Sequence, residues 1–123
     1  MFEITGIAHV SVLVNDTALA LRFYRDVLGL KVNPRRPDLG YPGAWLNVGA
    51  LQIHLLELPD TGNPGEPPAH GGRDYHTALY VSQLDTLKRA LEQAGITYTL
   101  SKSGRRALFC RDPDGNALEF IET

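Results

Sequence analysis

Ile7-Ala8-His9-Val10-Ser11-Val12-Leu13-Val14 alternates around His9 and is rich in β-branched residues, so it reads as a strand, counted here from Gly6 to Val14. The pattern returns at Tyr75–Val81 (YHTALYV), with His76 in the place of His9 at an offset of 67 (76 − 9). A helix comes after each of these strands. Asn15-Asp16-Thr17 supplies a helix N-cap, and ALALRFYRDVLGL (Ala18–Leu30) places Leu19, Phe23, Val27 and Leu30 at helical spacing before a stop at Gly29. In the second half Asp85–Ala94 is amphipathic through Leu84, Leu87 and Leu91 and stops at Gly95, an offset of 66 from Gly29.

After the first helix, strands are expected at Lys31–Pro34, Ala44–Val48 and Ala50–Leu58. After the second they are expected near Ile96–Leu100, Arg106–Cys110 and Asn116–Ile121, with a tight turn at Asp112-Pro113-Asp114-Gly115. Between the halves PDTGNPGEPPAHGGRD (Pro59–Asp74) is dense in Pro and Gly and reads as a linker, with a lid as the competing reading. The chain is thus β-α-β-β-β twice over. We expect one α+β domain made of a module 1–58, a linker 59–73 and a module 74–123. Repetition of a unit that cannot bury its sheet face alone implies pairing of the two units, with a cleft between them.

Composition bounds the function. The 123 residues suit one domain, and 43% hydrophobic with 21% charged residues is ordinary for a globular protein. A formal charge of −2 offers no general attraction to nucleic acid or to an anionic membrane. No stretch approaches the roughly 20 apolar residues of a membrane span. The N-terminus MFEITGIAHV lacks the basic flank of a secretory signal, and a single cysteine, Cys110, makes no internal disulfide. A cytoplasmic location is the expectation.

The chemistry lies in four residues. His9 and His54 stand 45 apart in the first half (54 − 9), His76 and Glu119 stand 43 apart in the second (119 − 76), and each sits inside a strand. Residues two apart on a strand share a face, so His9 lies with Ser11, His54 with Gln52 and Leu56, His76 with Ala78, and Glu119 with Ala117 and Ile121. Ala8, Val10, Ile53, Leu55, Leu79, Leu118 and Phe120 fall on the opposite faces, which would pack on the helices. Neutral imidazoles with a carboxylate suit one divalent metal ion, and Zn, Mn, Fe, Co and Ni are all compatible. A strand histidine is more often structural, and a glutamate near a strand end more often a solvated edge charge. The repeated spacing is what favours ligands. His70, in the Pro/Gly segment, reads as structural or solvent-facing.

The segments IAHVSVLV, FYRDVLGLKV (Phe23–Val32), DYHTALYV (Asp74–Val81) and RDPDGNALEFIE (Arg111–Glu122) resemble the vicinal oxygen chelate superfamily, over nearly the whole chain. That group contains glyoxalase I, extradiol dioxygenases, fosfomycin-resistance enzymes and bleomycin-resistance proteins. The resemblance implies two βαβββ modules forming an incomplete barrel around a metal, often as a homodimer. By position it makes His9, His76 and Glu119 ligands, and His54 the ligand closing the first module. Glyoxalase I usually has glutamate there and methylmalonyl-CoA epimerase glutamine, so His54 is a departure that leaves Glu119 as the obvious carboxylate base.

The resemblance further implies a small-molecule substrate with neighbouring oxygens and a lyase or isomerase reaction through an enediolate-type intermediate. An Fe(II) dioxygenase, a fosfomycin-type thiol transferase and a non-enzymatic drug-binding protein are the alternatives. Members of the last class lack the ligands. Ser11 is a candidate hydrogen-bond donor to substrate, and Arg35, Arg36 and Arg106 are candidates for an anionic tail, against a reading as surface charge. Trp45 and Tyr98 are placed either in the pocket or in the core. Cys110 reads as a small buried apolar residue.

Overall fold

The computed structural model describes residues 2–58 and 67–123. The first unit holds β1 (His9–Val14), α1 (Thr17–Leu21), β2 (Lys31–Val32), β3 (Gly43–Val48) and β4 (Leu51–Glu57). The second holds β5 (His76–Val81), α2 (Leu84–Gln93), β6 (Tyr98–Leu100), β7 (Ala107–Arg111) and β8 (Ala117–Glu122). Each unit is a four-stranded mixed sheet, ordered β1-β4-β3-β2 and β5-β8-β7-β6, with the first and last strands of the unit parallel. This is the α+β pairing of βαβββ units that the repeat implies.

The repetition extends to the helix ends. The backbone N–H of Thr17, first residue of α1, donates to Glu57 Oε1 at 2.6 Å, and that of Leu84, first residue of α2, donates to Glu122 Oε2 at 2.9 Å. Each carboxylate comes from the last strand of its own unit and meets the orphan donors and positive end of its own helix. At the other end Gly29 (φ 77°) and Gly95 (φ 72°) take the left-handed turn that lets Leu30 N–H reach Tyr24 O and Ile96 N–H reach Leu91 O.

The first helix spans one residue more than the second between these landmarks (29 − 17 = 12 against 95 − 84 = 11). The extra residue is absorbed by widening Arg22–Val27 into a π-helical segment, where the spacing alone predicts a single α-helix. Strand ends also differ from expectation. β1 begins at His9 rather than Gly6, leaving Ala8 exposed, and the strand expected over Lys31–Pro34 is two residues long because proline at position 34 cannot donate to a ladder.

Both units feed one core. Tyr24, Leu46, Ile53 and Leu55 pack in the same cluster as Leu84, Leu91, Leu108 and Leu118. The units are also tied by polar contacts. Tyr24 donates to Asp112 Oδ2 at 2.7 Å, Asn116 donates to Leu13 O at 3.0 Å, and the Asn15 N–H donates to Asp114 at 3.0 Å. Asp112 carries the turn that precedes β8, its Oδ1 accepting from the backbone of Asp114 and Asn116.

The linker expectation falls partly on residues 59–66, which lie outside the described residues. Its last part packs down. Gly71–Arg73 form a 3-10 turn against the second sheet, where a Cβ on Gly71 would stand 3.2 Å from that of Ala117. Arg111 holds this turn by donating to Asp74 Oδ2 at 2.9 Å and to Pro68 O, and it also donates to Gly115 O. Among the described residues no helix is long and apolar enough to cross a membrane.

Candidate metal centre

Register places the four residues as two copies of one construction. In the first sheet His9 pairs with Gln52 and His54 lies two residues further along β4, opposite Trp45 of β3. In the second sheet His76 pairs with Ala117 and Glu119 lies two residues further along β8, opposite Phe109 of β7. His9 therefore corresponds to His76, His54 to Glu119 and Trp45 to Phe109. The apolar residues between them, Ile53 and Leu55 or Leu118 and Phe120, are buried on the helix side as the alternation predicts.

The second pair is the better ordered for chemistry. His76 Nε2 lies 3.3 Å from Glu119 Oε1. Its Nδ1 stands 2.9 Å from the backbone oxygen of Asp74, an acceptor only, so Nδ1 carries a hydrogen. In its neutral form His76 turns the Nε2 lone pair toward a carboxylate oxygen, an arrangement that a cation between the two stabilises. A proton on Nε2 instead makes the same contact an ion pair. Two donors about 2.1 Å from one ion stand about 3.0–3.4 Å apart, which is the separation found. The anchoring of the other ring nitrogen by a backbone carbonyl is the support a ligating imidazole needs. Phe109 meets the His76 ring edge-on at 5.2 Å, and Glu119 keeps only 4% of its side chain exposed. Its Oε2 accepts from Arg105 Nη2 at 3.2 Å.

The first pair is arranged differently. The rings of His9 and His54 stack at 3.8 Å and 15°, and Trp45 stacks on His54 in turn at 4.3 Å and 5°. Ring lone pairs lie in the ring plane, so two stacked imidazoles point their nitrogens side by side, and a shared ion requires a ring to turn. His54 Nε2 is 2.7 Å from Gln52 Oε1. Burial first, then the charges of His9 and Arg36, hold the His54 pKa below its ordinary value and keep the ring neutral. A neutral ring is what a metal requires.

The structure thus brings His9 to His54 and His76 to Glu119. Among the described residues no three His, Cys, Asp or Glu side chains gather closely enough to share an ion. His76 also lines a cleft of 360 Å³ with Ser11, Leu13, Tyr75, Asn116 and Ala117, where β1 faces the start of β5.

The remaining candidates separate cleanly. Ser11 lies in that cleft, across from His54 in the β1–β4 register. Trp45 stacks on His54 rather than joining the shared core cluster. Tyr98 does pack against that cluster, since it pairs with Cys110 on the core side, and its hydroxyl donates to Glu92 at 2.7 Å. Arg106 is engaged with Glu122 at 2.6 Å and Asp85 at 3.2 Å near the start of α2. Arg36 donates to Tyr41 O at 2.8 Å and lies 5.5 Å from the Tyr41 ring, while its Nε is buried with no partner among the described residues. Arg35 is exposed. His70 is structural, with Nδ1 at 2.6 Å from Thr99 Oγ1 and its ring against Phe109. Cys110 is buried and its thiol is pushed up to about 12 by that burial, so it is no nucleophile at neutral pH.

Sequence reasoning passed over Phe109 and Arg105. Phe109 was reachable by aligning the two halves on Trp45. Arg105 sits in an irregular turn where no periodicity marks it.

Comparison with known proteins agrees with this fold. A family model described as the Glyoxalase/Bleomycin resistance protein/Dioxygenase superfamily matches residues 6–120. The chain is 33% identical to Glyoxylase I 4 of Arabidopsis thaliana, over 95% of this chain and 70% of that protein. It is also 33% identical to the glutathione transferase FosA of Serratia marcescens, over 90% of this chain and 76% of the relative. A solved glyoxalase family protein of Bacillus anthracis superposes with a TM-score of 0.78 at 27% identity, covering 100% of this chain and 98% of that one.

Proposed function

Because the chain belongs to the glyoxalase/bleomycin resistance protein/dioxygenase superfamily, we propose that it is a divalent-metal-dependent glyoxalase-like enzyme of lyase or isomerase type. Its substrate on this reading is a small molecule with neighbouring oxygens, converted through an enediolate-type intermediate. The observation that carries the proposal is the 3.3 Å approach of His76 Nε2 to Glu119 Oε1, with Nδ1 anchored on a backbone carbonyl.

His9, His54, His76 and Glu119 are the proposed ligands of one ion, whose metal is Zn, Ni, Co, Mn or Fe. When bound, the ion supplies Lewis acidity toward a substrate carbonyl. Glu119 is the proposed proton acceptor, its carboxylate being the one that faces the site from a buried position. Ser11, which lines the cleft beside His76, is the proposed hydrogen-bond donor to substrate.

Each chain presents two pairs rather than one set of four. A homodimer in which the first-unit pair of one copy meets the second-unit pair of its partner would assemble two equivalent sites by one two-fold operation. The division into modules 1–58 and 74–123 joined by a linker 59–73 is part of this proposal, as is a cytoplasmic location, consistent with the single buried thiol.

A second reading draws on the 33% identity to a glutathione transferase and on His54, whose ring is occupied by Gln52, His9 and Trp45. Without His54 the set His9, His76 and Glu119 is two histidines and one carboxylate, with more positions open. The test is elemental analysis and sedimentation of protein purified without added metal, followed by assays on a methylglyoxal–glutathione mixture and on fosfomycin with glutathione. About one ion per chain and isomerisation of the first mixture support the leading reading. Consumption of fosfomycin selects the second. A chain that takes up no divalent ion even after reconstitution overturns both.

A further inference from the structure

We propose that Arg105 receives the acidic group of the substrate, exchanging its contact with Glu119 for one with the incoming anion, so that the site selects small molecules bearing a carboxylate or phosphate-like group. This deepens the reading above and rests on it in placing substrate beside Glu119.

Both oxygens of the buried Glu119 carboxylate have close neighbours, and the two neighbours are held very differently. His76, facing Oε1, belongs to a strand, with its Nδ1 tied to Asp74 O and its ring against Phe109. Arg105, facing Oε2, lies in the turn between β6 and β7 with 58% of its side chain exposed. That turn is held by short local contacts. The Ser101 and Ser103 hydroxyls meet at 2.8 Å, and Ser103 Oγ accepts from Arg105 N at 3.3 Å and Nε at 3.2 Å. Gly104 supplies the left-handed residue (φ 87°) that the turn requires.

The guanidinium is also used below its capacity. It gives Glu119 a single contact through Nη2, and Nη1 makes no hydrogen bond among the described residues. A planar guanidinium grips a free carboxylate or phosphate through two parallel N–H donors, which is stronger than one contact to one oxygen. An oxyanion arriving at the mouth of the site takes two donors of Arg105 where Glu119 takes one. The exchange leaves Glu119 with His76 beside Oε1 and with Oε2 free for substrate or solvent. Of the other two cations of the turn, Arg106 already pairs with Glu122 and Asp85, and Lys102 makes no contact with Glu119 among the described residues. A neutral substrate analogue gives Arg105 no reason to leave.

The experiment uses the full metal-free chain, so that it stands apart from the metal question. The Arg105 Nε–H resonance is followed by NMR during titration with inorganic phosphate, with glycolate and with neutral hydroxyacetone. Phosphate and glycolate are expected to shift it saturably and hydroxyacetone to leave it in place. Arg105→Gln should weaken phosphate binding at least tenfold, Arg105→Lys should fall between, and Glu119→Gln, which removes the competing carboxylate, should strengthen it severalfold. Anion binding that Arg105→Gln leaves unchanged, or that Glu119→Gln weakens in a folded protein, overturns the proposal. A chain that binds phosphate at Arg105 and no divalent ion upholds this inference while removing the metal-dependent reading, and the reverse result does the opposite.

Discussion

The hydroxyl of Tyr24 donates to Asp112 Oδ2 across 2.7 Å in the middle of the shared core, joining the segment after α1 to the turn before β8. Tyr24 has no exposed surface and Asp112 keeps 5%. The carboxylate also accepts from Asn116 Nδ2 at 2.8 Å and, through Oδ1, from two backbone N–H groups. A buried carboxylate with four donors is stable only while they stay in place. The FYRDVLGL and RDPDGN segments are therefore a clamp between the two units, remote in chemistry from His76 and Glu119.

Removing the phenol alone should cost stability without touching the site. Tyr24→Phe is expected to destabilise by about 2 kcal/mol, the range for a lost hydrogen bond to a charged group. Asp112→Ala strips every donor of its partner at once and should cost more, about 3–5 kcal/mol. Urea unfolding of both variants, with divalent-ion affinity measured alongside, checks this. An affinity that falls in step with stability would contradict the separation of clamp from site.

The same clamp predicts alkaline lability. Burial, with the Asp112 charge second, raises the Tyr24 pKa far above its ordinary 10.0, and burial raises Cys110 from 9.0 to about 12. Both groups hold their protons more tightly folded than unfolded. Their stabilising contribution is thus complete below the ordinary thiol and phenol values and is lost as pH rises above them. Stability should begin to fall near pH 9, steepening above pH 10 toward about 1.4 kcal/mol per pH unit for each group. Tyr24→Phe should lower the slope above pH 10 by about 1.4 kcal/mol per pH unit, measured by urea unfolding between pH 8 and 11.

The repeat in the chain made the architecture legible, because offsets of 67 and 66 align strand with strand and glycine with glycine. It also carried His9 onto His76 and His54 onto Glu119, which the register places identically. What the repeat could not convey was side-chain direction. Whether two imidazoles stack or converge is decided by neighbours such as Trp45 and Gln52, and these act through contact rather than through periodicity. The π-helical turn was hidden for a related reason, since one added residue leaves helical spacing nearly intact. Arg105 left no trace because it works from an irregular turn.

Two glycines should respond unequally to alanine. A Cβ on Gly43 would run into the backbone oxygen of Leu55 on the neighbouring strand, which cannot move without breaking the β3–β4 ladder. Gly43→Ala should therefore cost about 2–4 kcal/mol. At Gly71 the nearest atom is the Ala117 side chain at 3.2 Å, and the 3-10 turn that carries it can lift slightly. Gly71→Ala should cost about 1 kcal/mol or less and should loosen the turn over Ala117, seen as faster amide exchange at Arg73 and Asp74. Equal losses from the two substitutions would show that the turn is as rigid as the sheet.

The His76–Glu119 pair should govern metal uptake more than the stacked pair does. Nε2 and Oε1 already stand at the separation of two donors on one ion, whereas His9 and His54 must first unstack. His76→Ala and Glu119→Gln are each expected to weaken Ni²⁺ or Co²⁺ binding by at least 100-fold, beyond the loss of about 10–100-fold that goes with an outer-shell partner. Trp45→Ala frees one face of the His54 ring and should change affinity by less than tenfold, in the direction of tighter binding. Titration calorimetry on metal-free protein measures all three. Affinity that survives Glu119→Gln while Trp45→Ala abolishes it would move the centre of the site to the first sheet.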